Sequence, residues 1–147
     1  MSLKISTGLR NAMLDTGSFK SLMDTCTLKI YAGTEPADAD AACANTLICE
    51  VFKDNDGITT LTFQSPAVAG VITKTTAEVW AGTNAVSETA SFYRLELAAD
   101  DQLASTIHKR VQGTVALAGG ELNLTSLALT MSSVQNIDFY SISLPTL

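Results

Sequence analysis

Ser91-Phe92-Tyr93-Arg94-Leu95-Glu96-Leu97 is the stretch on which the fold turns. Ser91, Tyr93, Leu95 and Leu97 alternate with Phe92, Arg94 and Glu96. A period of two puts successive side chains on opposite faces of an extended strand. The pattern predicts an antiparallel strand with one face on a core and the other toward water.

The same reading extends in both directions. Leu28, Ile30 and Ala32 alternate with Thr27, Lys29 and Tyr31 before Gly33 ends the run. Residues 46–53 read as a strand, and Asn55-Asp56-Gly57 is a turn signal before 58–63, so these two segments are expected to pair as a hairpin. Residues 71–80 read as one strand or two short ones, ended by Gly82. Toward the C-terminus, 110–117, 121–124, 127–131 and 137–144 carry strand patterns, with Gly119-Gly120 turning the chain between the first two.

Eight or nine short strands separated by turn signals predict a mainly β fold, an antiparallel sandwich, jelly roll or closed barrel. The 147 residues suit one domain with its own core. Residues 1–26 form a short helical N-terminal segment and 27–147 the β-sandwich. In the former, Ser6 or Thr7 caps a helix carrying Leu9, Ala12, Met13 and Leu14; Gly17 breaks it, and Ser18 caps a turn carrying Phe19, Leu22 and Met23. Helices this short do not stand alone in water, so their apolar faces must dock on this domain's sheet or on a neighbouring subunit.

Composition narrows the function. Apolar residues make up 46% and charged residues 16% of the chain, against roughly 25% charged in an ordinary soluble domain. Ser and Thr fill much of the difference, and such a surface is cheap to desolvate against another protein. A net charge of −6 disfavours nucleic acid, whose phosphates need clustered Lys and Arg. The one basic cluster, His108-Lys109-Arg110, reads as a solvated strand edge. No apolar run is long enough to span a bilayer, and Met1 to Arg10 lacks a signal-peptide core. Cys26, Cys43 and Cys49 have no metal-binding spacing and are expected to be buried thiols of a protein made in the cytoplasm.

Catalytic patterns are not found. His108 is the single histidine and has no triad context; a cysteine and an acid within hydrogen-bond reach of it would reopen the question of an enzyme. Asp54-Asn55-Asp56-Gly57 begins like a calcium loop but has Phe52 and Phe63 where ligands are needed. The loop acids Glu35, Asp38 and Asp40, and the pair Asp100-Asp101, read as solvated. No cofactor or metal is expected. The aromatic residues are spread along strands as core packing would place them.

Several stretches resemble a family of small structural proteins of tailed bacteriophages and prophages. They are Ser6-Thr7-Gly8-Leu9-Arg10-Asn11-Ala12-Met13-Leu14-Asp15, Ile30-Tyr31-Ala32-Gly33-Thr34-Glu35-Pro36, Ala77-Glu78-Val79-Trp80-Ala81-Gly82-Thr83, Val111-Gln112-Gly113-Thr114-Val115 and Ile137-Asp138-Phe139-Tyr140-Ser141-Ile142. The resemblance implies a non-enzymatic virion component, a cement or decoration protein on the capsid exterior. Such a protein is commonly a homotrimer that bridges subunits of the major capsid protein. It brings no catalytic or ligand residues to this chain. On this reading Met1 to Asp24 docks on the capsid or on an adjacent copy, with Thr7, Leu9, Arg10, Met13, Phe19 and Leu22 as candidate contacts. Deleting that segment is then expected to leave the β domain folded. The alternatives are a tail or baseplate component, or a receptor- or carbohydrate-binding module exposing Trp80, Tyr93 or Tyr140 in a cleft.

Overall fold

Two strands organise the molecule: β2 (Cys26–Ala32) and β6 (Glu88–Leu97) pair antiparallel along nearly all of β2, with Leu28 opposite Leu95 and Ile30 opposite Tyr93. The computed structural model describes residues 3–144. Around this pair lie β1 (Lys4–Ile5), α1 (Thr7–Asp15), α2 (Phe19–Met23), β3 (Leu47–Lys53), β4 (Val71–Thr73), β5 (Trp80–Thr83), β7 (Val111–Ala116), β8 (Leu122–Asn123), β9 (Ala128–Leu129), β10 (Val134–Ile137) and β11 (Ser141–Ser143). The fold is mainly β and mainly antiparallel, as the alternation predicts.

One sheet of nine strands runs β1-β7-β6-β2-β3-β5-β10, with β8 added to β7 and β9 to β6; β11 and β4 form a separate ribbon. Residues 123–125, which include the end of β8, and Val134–Asn136 of β10 line the same cleft. Leu28, Ile30, Val51, Tyr93, Leu95 and Val111 turn toward one core. There Trp80 packs against Tyr140 and Phe63, and Tyr93 meets Tyr140 edge-on, their hydroxyls 2.9 Å apart.

Four segments depart from the sequence reading. The expected hairpin of 46–53 with 58–63 is not formed: β3 pairs with β2 and with β5 instead. The turn is present, but the Asp56 carboxylate accepts from the N–H groups of Ile58 and Thr59, which diverts the donors a ladder would use. The chain then crosses to bury Leu61 and Phe63, and Leu61 N–H bonds to the Cys26 carbonyl.

Residues 71–80 give the two short strands that the sequence allows, but Gly82 lies inside β5 rather than ending it. A Cβ on Gly82 would stand 2.3 Å from the Glu50 carbonyl oxygen, so only glycine lets β3 approach there. Residues 137–144 likewise divide between β10 and β11. Finally, β8 returns parallel to β7, because the Glu121 carboxylate accepts from the Thr114 N–H and hydroxyl and draws the chain back beside β7.

The N-terminal segment belongs to this domain's own core. Ser6 caps α1 and Ser18 caps α2, as expected. Leu9 and Met23 are fully buried, and Met13, Phe19 and Leu22 pack against the same cluster. A Cβ on Gly8 would fall 2.1 Å from the Ile107 carbonyl oxygen, which shows how closely α1 lies on the chain beside it. The expectation that the β domain folds without residues 1–24 is therefore reversed. Removing them strips two buried side chains from the core, and we expect the truncated chain to lose cooperative unfolding. Leu9→Ala alone should cost about 2–5 kcal/mol, read as a lower urea midpoint. A truncated chain that unfolds at the full-length midpoint would contradict this.

Candidate functional site

Behind the core, the second face of the sheet is not solvated. Thr27, Lys29, Arg94, Glu96, Arg110 and Gln112 are all buried. The sequence reading had turned Phe92, Arg94 and Glu96 to water and left Arg110 on a solvated edge. Pairing stacks these side chains into adjacent columns: Lys29 lies opposite Arg94, Arg94 opposite Gln112, and Thr27 opposite Glu96. Two loops, 33–46 and 98–110, shut them away from water through the contacts described below.

Arg110 is the centre of this layer. Its guanidinium grips Asp100 with both arms, Nε to Oδ2 at 2.8 Å and Nη2 to Oδ1 at 2.6 Å. Nη2 also donates to the Leu103 carbonyl at 2.9 Å, so one side chain pins the 98–110 loop at two points. Arg94 does the same for the other loop, donating to the Ala41 carbonyl at 2.8 Å and to Gln112 Oε1 at 2.9 Å. Glu96 accepts from Gln102 at 2.6 Å and lies 3.3 Å from Lys29 Nζ. Tyr31 stacks on Phe92 with ring centres 5.1 Å apart and donates to Glu96 and Gln102.

The acids of the 33–46 loop are put to structural use. Glu35 receives Lys4 and Gln112 at 2.8 and 3.0 Å. Asp40 receives the N–H and hydroxyl of Thr7 at the start of α1, at 2.8 and 2.6 Å, where a negative charge also suits the helix dipole. Asp100, expected in water, is buried beside Arg110.

Burial pushes the Asp100 carboxyl up, but hydrogen bonds from Arg110 and the Gln102 N–H outweigh it and hold the group below the ordinary aspartate range. Glu96 goes the other way. Burial raises it more than Lys29 lowers it.

Asp100, Asp101 and His108 are the one group among the described residues whose ligand atoms converge within 4.8 Å. Arg110 already stands among them, its Nη2 3.0 Å from His108 Nδ1 and 2.6 Å from Asp100. The guanidinium supplies the positive charge that a divalent ion would bring, and an ion there would have to displace it. His108 Nδ1 also lies 3.4 Å from Asp100 Oδ2.

The cysteines are buried free thiols, as expected. Cys26 contacts Met23 Sδ and Cys43 contacts Asn45. Desolvation pushes Cys26 and Cys49 up to about 12, which keeps the thiolate scarce at neutral pH.

On its outer side the 98–110 loop carries large apolar groups beside the half-exposed Asp101. Ile107 and Leu103 on the 98–110 loop are 80% and 63% exposed, and Leu14 on α1 is 86% exposed. Of the candidate contacts, Leu9 is in the core, and Met13, Phe19 and Leu22 are partly buried against it. Phe19 stands edge-on to Phe63 at 5.3 Å. Leu9 is thereby a support of the fold and has no surface for a partner, whereas Met13, Phe19 and Leu22 support the core and keep part of their surface. Thr7 is held by Asp40, while Arg10 is exposed and donates to Thr7. Leu14, read from the sequence with Leu9, Ala12 and Met13 as part of a docking face, is exposed instead and shares one helical row with Thr7 and Arg10. Trp80, Tyr93 and Tyr140 are buried, so none of them forms an exposed binding platform. Among the described residues no helix is long and apolar enough to cross a membrane. No family model, curated protein or solved structure matches the chain.

The Asp100–Arg110 grip sets a pH dependence. A carboxyl held below its unfolded value of about 4 adds stability above that pH and loses it as pH falls through the lower folded value. Asp100→Asn should cost about 3–5 kcal/mol at pH 7, since it strands a buried guanidinium, and should flatten the acid limb of the stability profile. Denaturation at several pH values checks both. Equal losses at pH 7 and pH 2 would refute the assignment.

Proposed function

We propose that this chain is a non-enzymatic structural protein of a tailed-phage particle that binds the outside of the capsid and bridges major capsid subunits. The observation that carries the assembly role is the contrast between the two sides of the 98–110 loop. Its inner side is locked by buried charges, and its outer side holds large apolar groups in water at Leu103 and Ile107. Leu14 and Arg10 on α1 add to the same role, because Gly8 seats the start of that helix against Ile107. A rigid apolar surface loses little conformational entropy on binding and gains from its removal from water. Repeated over a shell, many modest contacts of this kind add up through multivalency. The capsid as the destination rests on the sequence resemblance.

Co-sedimentation with undecorated capsids tests the reading. The wild type is expected to pellet with shells. The pair Leu14→Lys and Ile107→Asp should abolish pelleting while leaving the thermal midpoint within a few degrees, because both side chains project into water. Pelleting undiminished by the pair would move the contact elsewhere on the surface. Binding to tails instead of shells would make the protein a tail component.

A further inference from the structure

On the covered face of the sheet, an amine and an amide meet at one carboxylate oxygen. Glu96 Oε1 lies 3.3 Å from Lys29 Nζ and accepts from Gln102 Nε2 at 2.6 Å. These are the parts of an acyl transfer. The amine is the nucleophile, the carboxamide carbon is the centre it attacks, and the carboxylate moves the proton.

A fourth part stands on the far side of the same amide. Gln102 Oε1 accepts from the Tyr31 hydroxyl at 3.1 Å. That donor faces the atom on which negative charge develops when an amine adds to the carbonyl. Glu96, Lys29 and Tyr31 are all buried, which keeps water from competing with the amine. The Leu97 and Ala98 carbonyls steady Lys29 Nζ at 3.4 and 3.3 Å.

An ion pair of Lys29 with Glu96 does not require the backbone that Gln102 adopts. Its φ is 63°, in the left-handed region that residues other than glycine seldom enter. Its N–H donates to Asp100 Oδ1 and its carbonyl accepts from the Cys43 N–H, both at 2.9 Å, so the strain is held from two sides. Glu96 Oε2 makes no hydrogen bond among the described residues and lies 3.7 Å from Arg110 Nε. Burial raises the Glu96 carboxyl above the ordinary glutamate range, which makes it a better base toward the ammonium.

We propose that Lys29 and Gln102 join through an intramolecular amide bond, with Glu96 as the acid–base and Tyr31 as the oxyanion donor. Glu96 takes a proton from the Lys29 ammonium. The free amine adds to Gln102 Cδ, and the carbonyl oxygen carries the negative charge against the Tyr31 hydroxyl. Glu96 passes its proton to Nε2 and then takes the second proton from the attacking nitrogen. The Cδ–Nε2 bond breaks, the carbonyl re-forms, and ammonia leaves with that second proton as ammonium. Glu96 ends as the carboxylate it began as, and no oxidant or reductant takes part. The bond staples β2 to the 98–110 loop, making permanent a cover that Arg110 holds without covalent bonds. The chain acts once on itself and turns over no substrate, so the inference does not depend on the capsid reading.

The intact mass and the tryptic map of the full chain, folded, aged and then unfolded, test it. The wild type should weigh one ammonia less than its sequence. Trypsin does not cut after an acylated lysine, so residues 21–53 should stay uncut at Lys29 and be joined to residues 95–109. Lys29→Arg and Glu96→Gln should each return to the full mass of their own sequences. A wild type at full mass that is cut at Lys29 overturns the proposal and leaves an ion pair in its place. So does a mass deficit that persists in Lys29→Arg, or one that maps to any other residue. Should either variant fail to fold, the wild-type mass and map decide alone.

Discussion

Putting both faces of a strongly paired sheet out of water is the constraint on which this molecule depends. The core face needs only apolar side chains in register. The other face carries Lys29, Arg94, Glu96 and, at its margin, Arg110, each of which costs several kcal/mol to desolvate without a partner. Arg110 with Asp100 meets one part of that demand, and Lys29 beside Glu96 another. The bidentate grip neutralises one buried cation, and the further bond to Leu103 fastens the loop that excludes water. Loop and ion pair are thus mutually dependent.

That dependence reaches the N-terminus. Ser6 accepts from the Arg110 N–H and donates to the His108 carbonyl, while Asp40 of the other loop caps Thr7. Helix α1, both loops and the start of β7 therefore form one connected unit. Such a network is specific because it is intolerant: a half-satisfied charge cluster is worse than none. It also explains how exposed leucine and isoleucine side chains can be held in water on a loop with little regular structure. The backbone beneath them has few alternative conformations that keep Arg110 paired.

Much of the fold was legible in the residues. The alternation in 91–97 and 27–32, the serine caps at 6 and 18 and the burial of the cysteines all depend on neighbours close in sequence, and all appear in the structure. Pairing partners were less accessible. Asn55-Asp56-Gly57 makes its turn, yet the following segment leaves β3, because the energetic gain from burying Leu61 and Phe63 comes from residues far along the chain. The apolar residues of the N-terminal segment read as a docking face with two possible surfaces, this domain's sheet or a neighbouring subunit, and Leu9, Met13, Phe19, Leu22 and Met23 pack on the domain's own core. A short amphipathic helix shows that it needs a partner and not which one.

The sequence by itself determined where strands and short helices form, that the chain is mainly β, and that its surface is low in charge. These follow from side-chain period, backbone freedom at glycine and local capping. Only the tertiary structure decided that Arg94, Glu96, Asp100 and Arg110 are buried, that Leu14, Leu103 and Ile107 are among the apolar groups left in water, and that β10 comes last in the order of the large sheet. The physical reason is that a charged residue in a two-faced strand looks the same whether water or a loop covers it. The difference lies in a guanidinium meeting a carboxylate supplied by a segment that folds back over the sheet.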